Sequence, residues 1–305
     1  MDDSRLRIAT RSSAQASTQA RAVADALRNA TGREVELVFV DTIGDRTQSA
    51  GVPLHSIGGQ GVFVKEVQRA VLDGRADLAV HSAKDLPSET ADGLVIAAFT
   101  ERRDPRDVLI GSSLDALGVG ATVATGSVRR RAQLSAVRPD LEFAELRGNI
   151  GTRLEKVPAG GAVVMALAAL QILELTDRVD DVLDIEGFIP AVGQGCVAVE
   201  CRAGDEATVA ALSSVDHLPT RRAVEIERAF LAELGSGCSL PVAGHVTGDR
   251  LHVFLADPER GTSVTDRLTL QSDHAGTDDW TSDLDAGRRA AVDVSTALDA
   301  VSDDG

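Results

Sequence analysis

The sequence predicts an α/β protein: two successive units of alternating strand and helix, each with a largely parallel sheet, then a small α+β domain. Three observations predict it. Short apolar runs alternate with segments of helical periodicity over the first 90 or so residues. The alternation restarts after "TERRDPRD" at 100–107. From about residue 220 the order changes to one helix, hairpin-like strands and a closing helix.

The elements follow in order. "LRIAT" at 6–10 reads as a buried strand, and the helix after it places Ala16, Ala20, Val23 and Leu27 on one face. "EVELVFVDT" at 34–42 is a second strand, and "FVKEVQRAVLDG" at 63–74 is a helix stopped by Gly74. "ADLAVHSAKDLP" at 76–87 is a third strand, whose C-terminal end carries His81, Ser82, Lys84 and Asp85. In the second unit "DVLIG", "ATVATGS", "RRRAQLSAV", "LEFAEL" and "NIGTRLEKV" repeat the alternation. Two such units would leave a cleft where ligands of open α/β sheets bind. "PAVGQGCVAVECRAGD" at 190–205 is a glycine-rich turn leading into a strand. The last part comprises a helix at 221–234, strands in "HVTGDRLHVFLAD" and "VTDRLTL", and a helix with Leu284, Ala291, Val294 and Leu298 on one face. Residues 271–283, "QSDHAGTDDWTSD", read as a solvated acidic loop.

Composition narrows the function. The 305 residues carry a net charge of -16 and only 3% aromatic residues, with no Tyr. Both features argue against nucleic-acid binding, and the charge argues against an anionic membrane surface. The apolar run "AVVMALAAL" at 162–170 is too short to span a bilayer, and the N-terminus lacks a secretory pattern. Cys196, Cys201 and Cys238 cannot all pair with one another, so reduced thiols in the cytoplasm are expected. No CxxC or HExxH occurs, so no metal site is expected. Lysine occurs only at 65, 84 and 156; an acidic, salt-adapted surface and a GC-rich genome both account for that, and the two are compatible.

Three stretches carry candidate chemistry. "ATGSVRRRAQL" and "ELRGNIGTRLEKV" put small polar residues where a strand gives way to a helix, and backbone N–H groups there attract anions. Arg129, Arg130, Arg131, Arg138, Arg147 and Arg153 outnumber Asp140, Glu142 and Glu145 in this region. Guanidinium groups suit carboxylates or phosphates, so a polyanionic ligand is expected, against the ordinary alternative of surface arginines. Arg11, just before Ser13, repeats the arrangement. Asp85 suits acid/base work or stabilisation of a cation in a cleft; the alternatives are an ion pair with Lys84 or an arginine, or a turn cap before Pro87. Cys238 lies in the glycine-flanked turn "GSGCSLP". It is either an exposed thiol for covalent attachment or nucleophilic attack, or a buried turn cysteine. Cys196 and Cys201 read as structural.

Taken together, "GGQGVFVKE", "DLAVHSAKDLPSE", "ERRDPRD", "GSVRRRAQL", "LRGNIGTRL", "PAVGQG" and "ERAFLAELGSGCSLP" resemble the porphobilinogen deaminase (hydroxymethylbilane synthase) family, from residue 7 to 241. The resemblance implies two domains like periplasmic binding proteins, doubly wound, plus a small α+β C-terminal domain. It divides the chain into 1–99 with 197–217, 103–193, and 220–305. It implies a transferase that condenses four porphobilinogen units, with loss of ammonia, into the linear tetrapyrrole hydroxymethylbilane. A dipyrromethane cofactor would be held through a thioether to Cys238, with Asp85 catalytic. Arg11, Ser13, Ser82, Lys84, Thr125, Ser127, Arg129, Arg130, Arg147 and Arg153 would bind cofactor or substrate side chains. A cytoplasmic monomer is expected, without nucleic-acid or membrane partners. A growing pyrrole chain bears an acetate and a propionate on every ring, which fits the local excess of guanidinium groups. Three positions depart from the family pattern, Ser56, Gln60 and Ile172, where family members commonly carry a cation. Binding roles are not carried over to them.

Overall fold

A computed structural model of the chain describes residues 5–42, 63–235, 241–271 and 279–303. In chain order the strands and helices of the first half are Arg5–Thr10 (β1), Ala14–Thr31 (α1), Glu34–Phe39 (β2), Lys65–Leu72 (α2), Leu78–Ser82 (β3), Leu94–Phe99 (β4) and Asp107–Ile110 (β5). Thr122–Ala124 (β6), Val128–Val137 (α3), Glu142–Ala144 (β7), Ile150–Leu154 (α4), Ala162–Ala166 (β8), Leu167–Ile172 (α5) and Asp181–Val182 (β9) follow. The chain continues through Val197–Arg202 (β10), Glu206–Leu212 (α6), Leu218–Glu233 (α7), Val242–Thr247 (β11), Arg250–Asp257 (β12), Thr262–Thr269 (β13) and Thr281–Asp303 (α8).

Two compact units result: Met1–Arg103 with Gly195–Arg221, and Asp104–Gln194 with Arg222–Gly305. The first unit holds a sheet of order β2-β1-β3-β10-β4, with β1 parallel to β2 and β3 and β10 antiparallel to both its neighbours. The second holds β7-β6-β8-β5-β9, with β6 parallel to β7 and β8 and β5 antiparallel to both its neighbours. Counting only the three parallel strands of each unit in chain order, the first lies inside, the second at the edge and the third beside the first; next comes an antiparallel strand, β10 from later in the chain in the first unit and β5 from earlier in the second. The second unit also contains the antiparallel sheet β11-β12-β13.

Local sequence explains these elements. Ser13 caps α1 by accepting the Ala16 N–H at 3.3 Å, and Gly32, with φ of 70°, stops the helix. Its apolar face, Ala20, Val23, Ala24 and Leu27, packs on Leu6, Ile8, Leu78, Val80 and Val199. The first-unit sheet is therefore covered on that side, while Val67, Ala70 and Val71 of α2 cover the other with Ala9 and Ala79. In the third sheet Leu251, Val253 and Leu255 pack against Ile226 and Phe230 of α7 and Ala290, Ala291 and Val294 of α8. The two helices approach closely at Gly287, where an alanine Cβ would lie 2.8 Å from the Ile226 carbonyl oxygen.

Three boundaries differ from the sequence reading. The strand expected over 34–42 ends at Phe39. The strand expected over 76–87 ends at Ser82, and Ala83–Asp85 form a 3-10 turn, because the Ala83 N–H still bonds the Cys196 carbonyl while the chain turns toward Pro87. The solvated loop expected over 271–283 is anchored at its far end. Trp280 is buried and donates to Glu225 at 3.0 Å. Asp283, fully buried, accepts from Arg222 at 2.6 Å and from the Gln271 N–H at 2.9 Å.

Candidate anion-binding and catalytic site

In the first unit the candidate residues collect at the C-terminal ends of the adjacent parallel strands β1 and β3, the end where open α/β sheets bind ligands. Arg11 follows β1, and its guanidinium stacks 4.1 Å from the centroid of the Phe63 ring. Ser13 opens α1. Ser82 ends β3 and donates to the buried Gln19 amide oxygen on α1 at 3.1 Å, joining the strand end to the helix. Gln19 carried no sequence signal, since a single polar residue inside a helix face looks like any solvated position. Lys84 and Asp85 occupy the 3-10 turn, both half-buried. The Asp85 carboxylate has no hydrogen-bond or ion-pair partner among the described residues.

In the second unit the equivalent strand ends carry the equivalent residues. Thr125, buried after β6, donates its N–H to Ala144 at 2.9 Å and accepts the Ser127 N–H at 3.2 Å on its hydroxyl. Ser127 caps α3 as Ser13 caps α1, accepting the Arg130 N–H at 3.4 Å. After β7, Gly148 takes φ of 121°, a left-handed value that an L side chain rarely adopts, and Asn149 caps the short α4. Arg147 and Arg153 are half-buried on either side of this turn, and Arg153 Nε donates to the Gly148 carbonyl at 2.8 Å. The Arg147 guanidinium has no partner among the described residues.

Arg129 and Arg130 differ from their neighbours. Both are buried, and both converge on Asp107, which is 0% exposed at the start of β5. Arg129 donates to Asp107 Oδ2 at 2.7 Å and to the Ile189 carbonyl at 2.7 Å. Arg130 donates to Asp107 Oδ1 from Nε at 3.0 Å and from a terminal nitrogen at 2.7 Å, and to the Val164 carbonyl at 3.1 Å. The Gln194 amide adds a fourth bond to Asp107 at 3.0 Å. Burial alone would push the Asp107 carboxyl up, but the two guanidinium groups together hold it well below the usual carboxylate range. Arg131 pairs with Glu145 and Arg138 with Asp140. The excess of positive charge counted along the sequence is thus largely compensated in space. Asp107 was visible in "ERRDPRD" but not as the partner of arginines more than twenty residues later.

Cys238 lies outside the described residues, as do Ser56 and Gln60. Ile172 ends α5 and is half-buried. Cys196 and Cys201 are free and buried, and burial, with Asp205 nearby, pushes the Cys201 thiol up to about 11. Among the described residues no group of three or more His, Cys, Asp or Glu could hold a metal ion, and no helix is long and apolar enough to cross a membrane.

The donor set fits a ligand bearing several carboxylates and ring N–H groups. Guanidinium groups, hydroxyls and helix-cap N–H groups are donors of the kind that suits carboxylates, and the Asp85 carboxylate is an acceptor of the kind that suits a ring N–H. Residues 6–210 match the family model described as "Porphobilinogen deaminase, dipyromethane cofactor binding domain". The porphobilinogen deaminase of Thermobifida fusca is 48% identical over 259 residues, covering 82% of this chain and 80% of its own length. That of Acidothermus cellulolyticus is 45% identical over 302 residues, covering 95% and 88%, and that of Trichlorobacter lovleyi 43% over 278 residues, covering 88% of each. Among solved structures the methionine binding protein MetQ is a loose likeness, with a TM-score of 0.44 and 16% identity over 73% of this chain and 91% of its own.

Proposed function

The chain belongs to the porphobilinogen deaminase family, and from that premise we propose how its residues divide the work. The enzyme is a hydroxymethylbilane synthase: it condenses four porphobilinogen units, releasing ammonia, into the linear tetrapyrrole hydroxymethylbilane in tetrapyrrole biosynthesis. Its covalent dipyrromethane supplies a two-ring primer with a nucleophilic ring carbon at its free end. Cys238 is the thioether anchor in this reading.

Asp85 is the catalytic residue. Its carboxylate accepts the pyrrole N–H of the substrate and stabilises the positive charge that develops on the ring as ammonia leaves. The same oxygen then receives the proton lost when aromaticity is restored. The observation that carries this assignment is the half-buried Asp85 carboxylate itself, at the ligand end of the sheet and without a partner among the described residues. Lys84, Ser82, Arg11 and Ser13 bind acetate and propionate groups from the first unit. Thr125, Ser127, Arg147 and Arg153 do so from the second. Arg129 and Arg130 contribute one net positive charge with Asp107 and whatever donor capacity their carboxylate and carbonyl bonds leave.

Three functional domains, 1–99 with 197–217, 103–193 and 220–305, are supported by the three separate sheets. A cytoplasmic monomer that binds no nucleic acid completes the reading, supported by the net charge of -16 and by the free Cys196 and Cys201. The test is turnover. The purified protein should release four ammonia per hydroxymethylbilane from porphobilinogen, and Asp85→Asn should keep its fold while losing roughly 10²–10⁴-fold in kcat. Wild-type turnover in that variant contradicts the assignment.

A further inference from the structure

In the chain Cys238 lies between α7, which ends at Glu233, and β11, which begins at Val242. These two flanking elements meet at one side chain. Glu227 of α7 is 0% exposed. Its Oε1 accepts the N–H of Val246 on β11 at 2.8 Å, and the ring Nδ1 of buried His245 lies 3.2 Å from the same oxygen. Its Oε2 accepts the N–H of Gly193 at 2.8 Å. One carboxylate therefore joins the helix before the loop, the strand after it, and a segment more than thirty residues earlier.

That segment leads to the arginine pair. Next to Gly193, the Gln194 amide donates to the Pro105 carbonyl at 2.7 Å and to Asp107, which holds Arg129 and Arg130. Apolar contacts seal the same junction. Val192 packs with Ile226 and Phe230, and the Gly244 N–H bonds the Pro190 carbonyl at 3.2 Å. Gly244 is packed closely there, since a Cβ would lie 3.0 Å from the Phe230 ring and 3.2 Å from Val192. A buried carboxylate is a poor way to gain stability, because apolar packing of similar volume does as well without the desolvation cost. What a carboxylate adds is direction, fixing two N–H groups from distant segments in one geometry.

We propose that Glu227 is a positioning residue, which fixes the roots of the Cys238 loop to the body that holds Arg129 and Arg130. The tether and the arginine pair then keep one register as the product lengthens. The proposal rests on the reading of Cys238 as the anchor.

Glu227→Gln tests it, since the amide keeps the volume but leaves one of the two N–H groups facing an NH2. Intact mass counts the cofactor-loaded fraction, and rates are expressed per loaded molecule well below the melting temperature. The expected result is kcat lowered roughly 10- to 100-fold with KM unchanged, together with faster amide exchange confined to Gly193, Val246 and the loop between them and α7. Wild-type kcat per loaded molecule, or exchange rising throughout the unit, overturns the proposal. If Glu227→Gln does not fold, Gln194→Met cuts the same chain of bonds at its other end and is held to the same two outcomes. A Cys238→Ser protein that still carries the added mass would instead bring down the anchor reading, so the two failures are distinguishable.

Discussion

Replacing Asp107 by asparagine should unfold the second unit more readily than any other single-atom change in the site. Its carboxylate accepts four bonds, three from Arg129 and Arg130 and one from Gln194. The two arginines are 6% and 7% exposed, so Asp107→Asn leaves two guanidinium groups in the interior without a counter-ion. Breaking a buried ion pair from one side costs about 3–5 kcal/mol. For a unit of this size each kcal/mol shifts the melting temperature by about 2–4 °C, so the variant should melt roughly 6–20 °C below wild type. The pH dependence follows from the depressed carboxyl. Its stabilisation is fully present above the unfolded value of 3.8 and is lost as pH falls through the lower folded value. The gap between wild type and variant should thus stay constant from pH 8 to about 5 and narrow below pH 4. Calorimetry across that range reads both quantities. A variant within about 2 °C of wild type at pH 7 would refute the buried triad.

Two further outcomes follow from the same contacts. Asp283→Ala removes the acceptor of the Gln271 N–H and the carboxylate partner of Arg222 beneath the start of α8, leaving Arg222 only the Gly248 and Gln271 carbonyls among the described residues. It should cost about 1–3 kcal/mol in a denaturant melt, and no loss would mean the loop end is solvated after all. Cys196 and Cys201 are buried, and the Cys201 thiol is pushed up to about 11. Neither should react with a thiol reagent at pH 8 until the protein unfolds; rapid labelling of the native protein would contradict that.

Much of the fold was legible in the sequence, because period-2 and period-3.6 patterns are local. The helix from Ala14, the stop at Gly74 and the apolar face of the last helix all follow from such patterns. The strand order was not. That β10 inserts between β3 and β4, and β5 between β8 and β9, depends on pairing between segments far apart in the chain, such as Val197 with Ser82 and Val108 with Val182. The same limit applies to charge. Arg129 and Arg130 stand out as a cluster, but their burial depends on Asp107, which a linear count treats as one more acid. Asp283 shared its composition with the solvated residues before it, and its partner Arg222 lies 61 positions away. Asp85 and Ser13 were legible because each sits at a strand end or helix start that the pattern itself marks. Glu227 was not, since an acid inside "VEIERAFLAE" looks like the polar face of any amphipathic helix.

The assigned roles of Cys238, Asp85 and the arginines all require a covalent, polyanionic primer at Cys238. The intact mass of the purified protein decides this most directly. It should exceed the sequence mass by two pyrrole units, and Cys238→Ser should fall back to the bare sequence mass. A wild-type protein at the bare mass, or a Cys238→Ser protein that keeps the excess, contradicts it.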